Sequence, residues 1–160
     1  MVIVSAENRH IPAMIHLLRQ VGGIHAAGRP DLFRSGAQKY DEAQLEILLR
    51  DENCPIFIAE DDSGVLGYCF CQCQRVEENA CVNGRKELYI DDLCVDEAAR
   101  GKQVGKALYR HVCRWAKEQG FDYITLHVWD FPGSAEGFYR AMGMKNRYYC
   151  MEQRLEEWEC

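Results

Sequence analysis

The run Cys94-Val95-Asp96-Glu97-Ala98-Ala99-Arg100-Gly101-Lys102-Gln103-Val104-Gly105-Lys106-Ala107-Leu108 takes an apolar strand through a basic, glycine-bearing loop into an amphipathic helix. Val104, Leu108, Val112 and Trp115 recur at three- and four-residue intervals, and Lys106, Arg110, Arg114 and Lys117 recur on the opposite side. One stripe therefore packs and the other is wet. A helix that begins near Gln103 aims the partnerless amides of its first turn, and the positive end of its dipole, at whatever precedes it. Phosphate groups bind well in such a place. Gly101 and Gly105 leave room for close approach to the main chain, and Arg100, Lys102 and Lys106 add formal charge. The stretch reads as a cradle for a phosphorylated ligand. Its rival is an ordinary strand-to-helix turn with solvated basic residues, and the rest of the chain has to decide between them.

A chain of 160 residues fits one domain, residues 1–160, and a 48% hydrophobic content is enough for a core. The net charge of -6 argues against nucleic acid or an anionic membrane as partner, so the basic cluster from Arg100 to Lys117 is local in purpose. An acidic surface suits a cationic ligand such as an amine, although solubility alone also accounts for it. The apolar start Met1-Val2-Ile3-Val4 is short and gives way at once to Ser5, Glu7, Asn8 and Arg9. Neither a leader nor a membrane span is expected from it, and the expected location is the cytoplasm. Nine cysteines are an odd number in a chain that needs no staples, and they are expected as free thiols. Cys69, Cys71 and Cys73 alternate and share one face of a strand, but paired C-x-x-C units are missing and no histidine stands at ligand spacing beside them. They read as small core hydrophobes, and no metal is assigned.

Along the chain, Val2 to Ser5 reads as a strand and Asn8 to Val21 as a helix ended by Gly22-Gly23. Ile24 to Tyr40 is an irregular stretch of the length that often carries function. Asp41 caps a second helix through Arg50, and Pro55 to Glu60 and Val65 to Gln74 form a hairpin across Asp61-Asp62-Ser63-Gly64. Strands follow at Lys86 to Val95, Tyr123 to Trp129 and Met144 to Leu155, with a short helix from Ser134 to Met142 closed by Gly143. The order describes one mixed α/β sheet of about six or seven strands with helices on both faces.

Three of these segments, in this order, resemble the GCN5-related N-acetyltransferase (GNAT) superfamily: the strand ending at Val95, the Arg100-to-Gly105 loop, and Ala135-x-x-Phe138-Tyr139-x-x-x-Gly143-Met144. The resemblance covers essentially the whole chain. The loop is similar to the family's Gln/Arg-x-x-Gly-x-Gly/Ala pattern, with Arg100 and Gly105 matching and Gln103 at the first glycine position, which stiffens the loop. Met144 replaces a phenylalanine, and Pro132 stands where members often carry an asparagine that reaches the pantetheine arm. What the resemblance implies is a twisted sheet splayed between Lys86 to Val95 and Tyr123 to Trp129, with acetyl-CoA inserted in the splay and its acetyl group passed to a primary amine. Leu93, Cys94 and Val95 would pair with the pantetheine; Arg100, Gly101, Lys102, Gln103, Val104, Gly105 and Lys106 would hold the pyrophosphate; Pro132 and Ser134 would border the arm.

An alkyl ammonium must lose a proton before it attacks, so a base is useful. Asp91 and Asp92 precede the splay, and adjacent strand residues face opposite sides unless a bulge intervenes; similarity to diamine and polyamine acetyltransferases favours Asp91. Tyr139 fits the acid that protonates the departing thiolate. Cys94 has no histidine partner at a motif position and is not expected as a nucleophile. The acceptor is expected to be a small cationic amine, with a protein N-terminus or lysine, and a sensor that binds acyl-CoA without transfer, as alternatives. The walls expected for it are the Ile24-to-Tyr40 loop and the first two helices, with His25, Arg29, Asp31 and Phe33 as candidates. Similar proteins are often homodimers, and Trp158 is a candidate contact for one.

Overall fold

The computed structural model describes residues 1–158. Strands β1 (Val2–Ser5), β2 (Ile56–Asp61), β3 (Gly64–Val76), β4 (Arg85–Val95) and β5 (Tyr123–Leu126) form one sheet in that order. The first four pair antiparallel; β5 joins β4 in parallel, a connection that needs a crossover and obtains it from α3 (Val104–Glu118). The apolar stripe of α3 buries Val104, Leu108, Val112 and Ala116 against Phe57, Cys69, Cys71, Leu88 and Ile90. On the other face α1 (Ile11–Gly28) and α2 (Glu42–Leu48) bring Met14, Leu17, Leu18 and Leu45 onto Ile56, Ile58, Tyr68, Phe70 and Cys94. Helices thus cover both faces, as the sequence pattern requires. Asp41 caps α2 through a reciprocal pair of bonds, Gln44 N–H to Asp41 Oδ1 at 2.8 Å and Asp41 N–H to Gln44 Oε1 at 2.9 Å. Cys69 and Cys71 are buried with their sulfurs 3.7 Å apart, and Cys73 packs beside them in the same core.

Four expectations are corrected. The sheet among the described residues has five strands, not six or seven, because residues 144–155 form no ladder. That segment has no period-two apolar pattern, and Tyr148, Tyr149 and Met151 are exposed. Side chains hold it instead: Arg147 bonds the buried Glu87 at 2.9 Å and Arg154 bonds Asp31 at 2.8 Å. Strand β5 stops at Leu126 rather than Trp129, since the His127 and Trp129 rings leave the sheet for Tyr148 and Phe33. Helix α1 does not end at Gly22-Gly23 but runs to Gly28. The two glycines cost about 1 kcal/mol each in a helix, yet Gly22 lets the Ala37 carbonyl lie close (an added Cβ would sit 3.1 Å from it), and packing prevails over propensity. Helix α2 ends at Leu48, short of Arg50.

The α3 contact is the one that joins the crossover to the sheet. Leu108 is fully buried there, and Leu108→Ala is expected to lower unfolding free energy by about 2–5 kcal/mol in a urea titration.

Candidate functional site

The sequence places two left-handed residues at the entry to α3: Gly101 with φ 78° and Gln103 with φ 65°, the one non-glycine with positive φ among the described residues. Helix α3 begins directly after Gln103, and its first i-to-i−4 bond is Ala107 N–H to the Gln103 carbonyl at 3.0 Å. The amides of Val104, Gly105 and Lys106 precede that bond and point out of the helix end. The loop is fixed from behind, where Gln20 of α1 accepts the Glu97 amide at 3.1 Å and donates to Asp96 at 3.3 Å. A Cβ at Gly105 would meet Val95 at 3.4 Å and Phe138 at 3.5 Å, so the end of β4, the start of α3 and α4 (Glu136–Ala141) converge on this point. A phosphate-sized anion fits the end: free amides, a glycine surface, and the cations Arg100, Lys102 and Lys106 in the surrounding chain.

From there the open side of β4 leads inward. Its ladder with β5 covers only Glu87↔Tyr123 to Ile90↔Leu126, while β4 itself runs on to Val95, so the edge from Asp91 to Val95 is not paired by β5. The main chain of Leu93, Cys94 and Val95 lies on this stretch. The Cys94 side chain points the other way, its sulfur 3.6 Å from the Leu17 carbonyl, and burial pushes its thiol up to about 12.

A register shift lies at the mouth of the splay. Phe70 pairs with Asp92 and Cys71 with Ile90, which leaves Asp91 as an extra residue, a β-bulge. Both carboxylates consequently turn toward the α1 side. Asp91 Oδ2 accepts the Tyr40 hydroxyl at 3.0 Å and the Lys39 ammonium at 2.8 Å; Asp92 Oδ2 accepts the Tyr68 hydroxyl at 3.0 Å. Burial raises the Asp92 carboxyl to about 6 despite the opposing pull of Lys39 and the Tyr68 bond. Tyr139, on α4, packs against Tyr109 and Phe138, and its phenol is raised well above the ordinary tyrosine range, first by burial and then by the charges of Cys69 and Asp92. Pro132 and Ser134 lie in the turn before α4, where the Ser134 amide bonds the Phe131 carbonyl at 3.0 Å and Gly133 has φ 84°. The Phe131 ring rests on Gly28 at the C-terminal end of α1.

Further residues have no local signal. Tyr89, two positions before Asp91, bonds His127 Nδ1 at 3.2 Å, and His127 Nε2 bonds the Tyr148 hydroxyl at 2.7 Å. His25, Phe33, Trp129 and Phe131 form an aromatic wall, edge to face at His25–Phe131 and at Phe33–Trp129, whose centroids are 5.0 Å apart, and tilted at His25–Phe33. Arg29 and Asp31 are engaged with each other at 2.8 Å and with Glu152 and Arg154, so they clamp the loop to the C-terminal segment. Period-two spacing puts Tyr89 beside Asp91. Nothing local ties Lys39, Tyr40 or Tyr148 to this place, because chain returns of long range bring them there.

The sequence profile of the acetyltransferase (GNAT) family matches residues 23–144. The chain belongs to the GNAT family. Human N-acetyltransferase 8B is 37% identical over 60 residues, which are 38% of this chain and 26% of that protein. An uncharacterized N-acetyltransferase of Methanocaldococcus jannaschii is 26% identical over 101 residues, 63% of this chain and 43% of that one, so the matched part spans less than half of either relative. Among solved structures, a mutant of the BH1408 protein from Bacillus halodurans superimposes with a TM-score of 0.92 at 28% identity, covering 97% of this chain and 99% of that one. An aminoglycoside N-acetyltransferase, AAC(6')-Iy, solved in complex with CoA, shares the fold with a TM-score of 0.71 at 17% identity, over 96% of this chain and 98% of its own. No helix among the described residues of this GNAT chain is long and apolar enough to cross a membrane.

Gln103 keeps a glycine's geometry in this GNAT loop at a steric cost of about 1–2 kcal/mol. Gln103→Gly removes that strain but frees the unfolded chain, so the net expected gain in a denaturant titration is below about 1 kcal/mol. Gln103→Val, branched at Cβ, is expected to destabilise.

Proposed function

We propose that the chain transfers an acetyl group from acetyl-CoA to the primary amine of a small cationic acceptor, by direct attack without a covalent enzyme intermediate. One observation carries the reading: an anion-binding helix end, an unpaired strand edge and two carboxylates follow one another along β4 and into α3. When bound, acetyl-CoA supplies an acetyl group activated as a thioester. Gly101 to Lys106 hold the pyrophosphate with amides, and Arg100, Lys102 and Lys106 hold it with charge. Leu93, Cys94 and Val95 offer main-chain partners to the pantetheine, and an amide there polarises the acetyl carbonyl. Pro132 and Ser134 border the arm across the cleft, with Pro132 limited to its carbonyl and ring.

Asp91 receives the acceptor's ammonium, and the Asp91–Asp92 pair takes the proton that must leave before nitrogen attacks. A raised carboxyl pKa means that the basic, ionised form is complete only above it and is lost as pH falls through it. Tyr139, a phenol protonated at neutral pH and held more firmly so by its burial, donates its proton to the departing sulfur. The acidic net charge of the chain and the aminoglycoside acetyltransferases among its structural neighbours support a cationic small molecule as acceptor. A cytoplasmic location and a homodimer accompany this reading.

Mass spectrometry of a panel of polyamines, aminoglycosides, amino acids and peptides incubated with protein and acetyl-CoA tests it: one class gains an acetyl group, and no acetylated product in any class would refute it. With a responding acceptor, Tyr139→Phe is expected to lower kcat roughly 100-fold with acetyl-CoA affinity retained. Gly105→Glu, which sets a negative charge at the helix N-terminus, is expected to weaken acetyl-CoA binding about tenfold or more in calorimetry. The acid limb of kcat/KM should fall below a pH of about 6, and Asp92→Asn should displace that limb.

A further inference from the structure

We infer that Lys39 is itself a substrate: the chain acetylates the Lys39 side chain in the site it occupies. The inference rests on the acetyl-transfer reading above. Lys39 Nζ stands 2.8 Å from Asp91 Oδ2 and 3.4 Å from the Asp91 carbonyl, at the bulge where the β4–β5 ladder has just ended. An acceptor amine has to reach the same carboxylate.

Its position is built by its neighbours. Arg19 of α1 donates to the Gln38 side chain at 3.0 Å, and Gln38 donates in turn to the Tyr40 carbonyl at 2.6 Å. The Tyr40 ring stacks on Phe70 with centroids 5.8 Å apart, and its hydroxyl bonds the same Asp91 oxygen as Lys39. Behind them the Ala37 carbonyl lies close over Gly22. Residues on both sides of Lys39 are therefore fastened to α1 and to the sheet, and the lysine is presented to the carboxylates. Its own side chain stays 42% exposed while Asp91 is only 13% exposed, so the ammonium enters from the solvent side and retains freedom to move. An ion pair with one partner this exposed contributes little to stability, which is a weak reason to fix a lysine here.

The chemistry balances. The Lys39 ammonium loses a proton to the Asp91–Asp92 pair, and the nitrogen lone pair bonds to the acetyl carbonyl carbon. The carbon–sulfur bond breaks, the sulfur leaves with its electron pair, and Tyr139 protonates it and recovers a proton from the carboxylates. Lys39 ends as a neutral Nζ-acetyl-lysine and the donor as CoA thiol, with one proton released to solvent.

The test incubates the full chain with acetyl-CoA carrying a 13C-labelled acetyl group and maps label by peptide mass spectrometry over time. Lys39 is expected to label ahead of the other five lysines, with a first-order rate constant unchanged when the protein is diluted. Asp91→Asn should slow it about 100-fold or more, the range of a lost base, and Gly105→Glu should reduce it to the level of the other lysines, while circular dichroism checks that both variants fold. Labelling of Lys39 no faster than Lys117 or Lys145, labelling unaffected by Gly105→Glu, or a rate proportional to protein concentration would each overturn self-acetylation. The amine panel separates the failures: an acetylated external amine with Lys39 unlabelled defeats this inference alone, whereas neither product defeats the transferase reading too. An acceptor found in the panel should slow Lys39 labelling when added to the same mixture, since both need Asp91.

Discussion

One extra residue in β4 governs the site. Strand side chains alternate, so Ile90 and Leu93, three apart, ought to face opposite sides of the sheet. Both pack in the α3 core, because the register slips by one between Phe70 and Cys71 and Asp91 is left over. Without that slip the strand would have to turn either Ile90 or Leu93 out of the core, and Asp91 and Asp92 would face opposite ways. With it the core stays continuous, the two carboxylates share a face, and β4 leaves the line of β5 where a ligand needs its edge. Core packing and chemistry are met by the same irregularity, as bulges beside active sites commonly show.

The bulge is supported from the α1 face. Tyr68 is fully buried and reaches Asp92 with its hydroxyl, and Tyr40 lies on Phe70 and reaches Asp91 with its own. Each carboxylate thus has a phenol to satisfy it when the cleft holds no amine, which reduces the cost of burying charge at the edge of the core. On the far side of the cleft Tyr139 has the opposite treatment, apolar walls and nearby negative charge, which hold its proton. In the proposed mechanism two chemically opposed demands, a base and an acid, are met within one cleft by surroundings that differ in polarity.

Most of the α3 stripe was legible: Val104, Leu108 and Val112 are buried as a 3.6 period names, while Trp115 is only partly buried and Tyr109 and Ala116 complete the buried face. So were the Asp41 cap, the hairpin across Asp61 to Gly64, and the start of α3 beside Gln103. What was not legible depended on partners distant in sequence. Residues 144–155 contain tyrosines and a leucine that resemble a strand, but their fixing points are Glu87, His127 and Asp31, none of which a local pattern reveals. Gly22 and Gly23 have the chemistry of a helix stop, and only the loop lying on α1 explains why the helix continues. The Asp91–Asp92 question turned on a bulge, a property of two strands read together, which one strand's sequence cannot specify. Lys39 stands in a loop without periodicity, so nothing in its neighbourhood distinguishes it from any solvated lysine.

On the proposed reading, the Lys39–Asp91 pair also constrains what the acceptor can be. An incoming ammonium that displaces Lys39 exchanges one cation for another at the same carboxylate, so the Coulomb gain of the new pair is largely offset by loss of the old one. Net charge on the amine therefore contributes little to affinity at this position. Discrimination has to come from contacts beyond the nitrogen, and the surfaces available are the His25, Phe33, Trp129 and Phe131 rings and the Tyr89–His127–Tyr148 chain. Aromatic faces favour a polarised or cationic body, and the phenol–imidazole chain offers hydrogen bonds to a polar one. An acceptor with a second cationic or hydroxyl-bearing group several bonds from its reactive amine satisfies both surfaces, whereas a simple monoamine satisfies neither and meets Lys39 as an equal competitor.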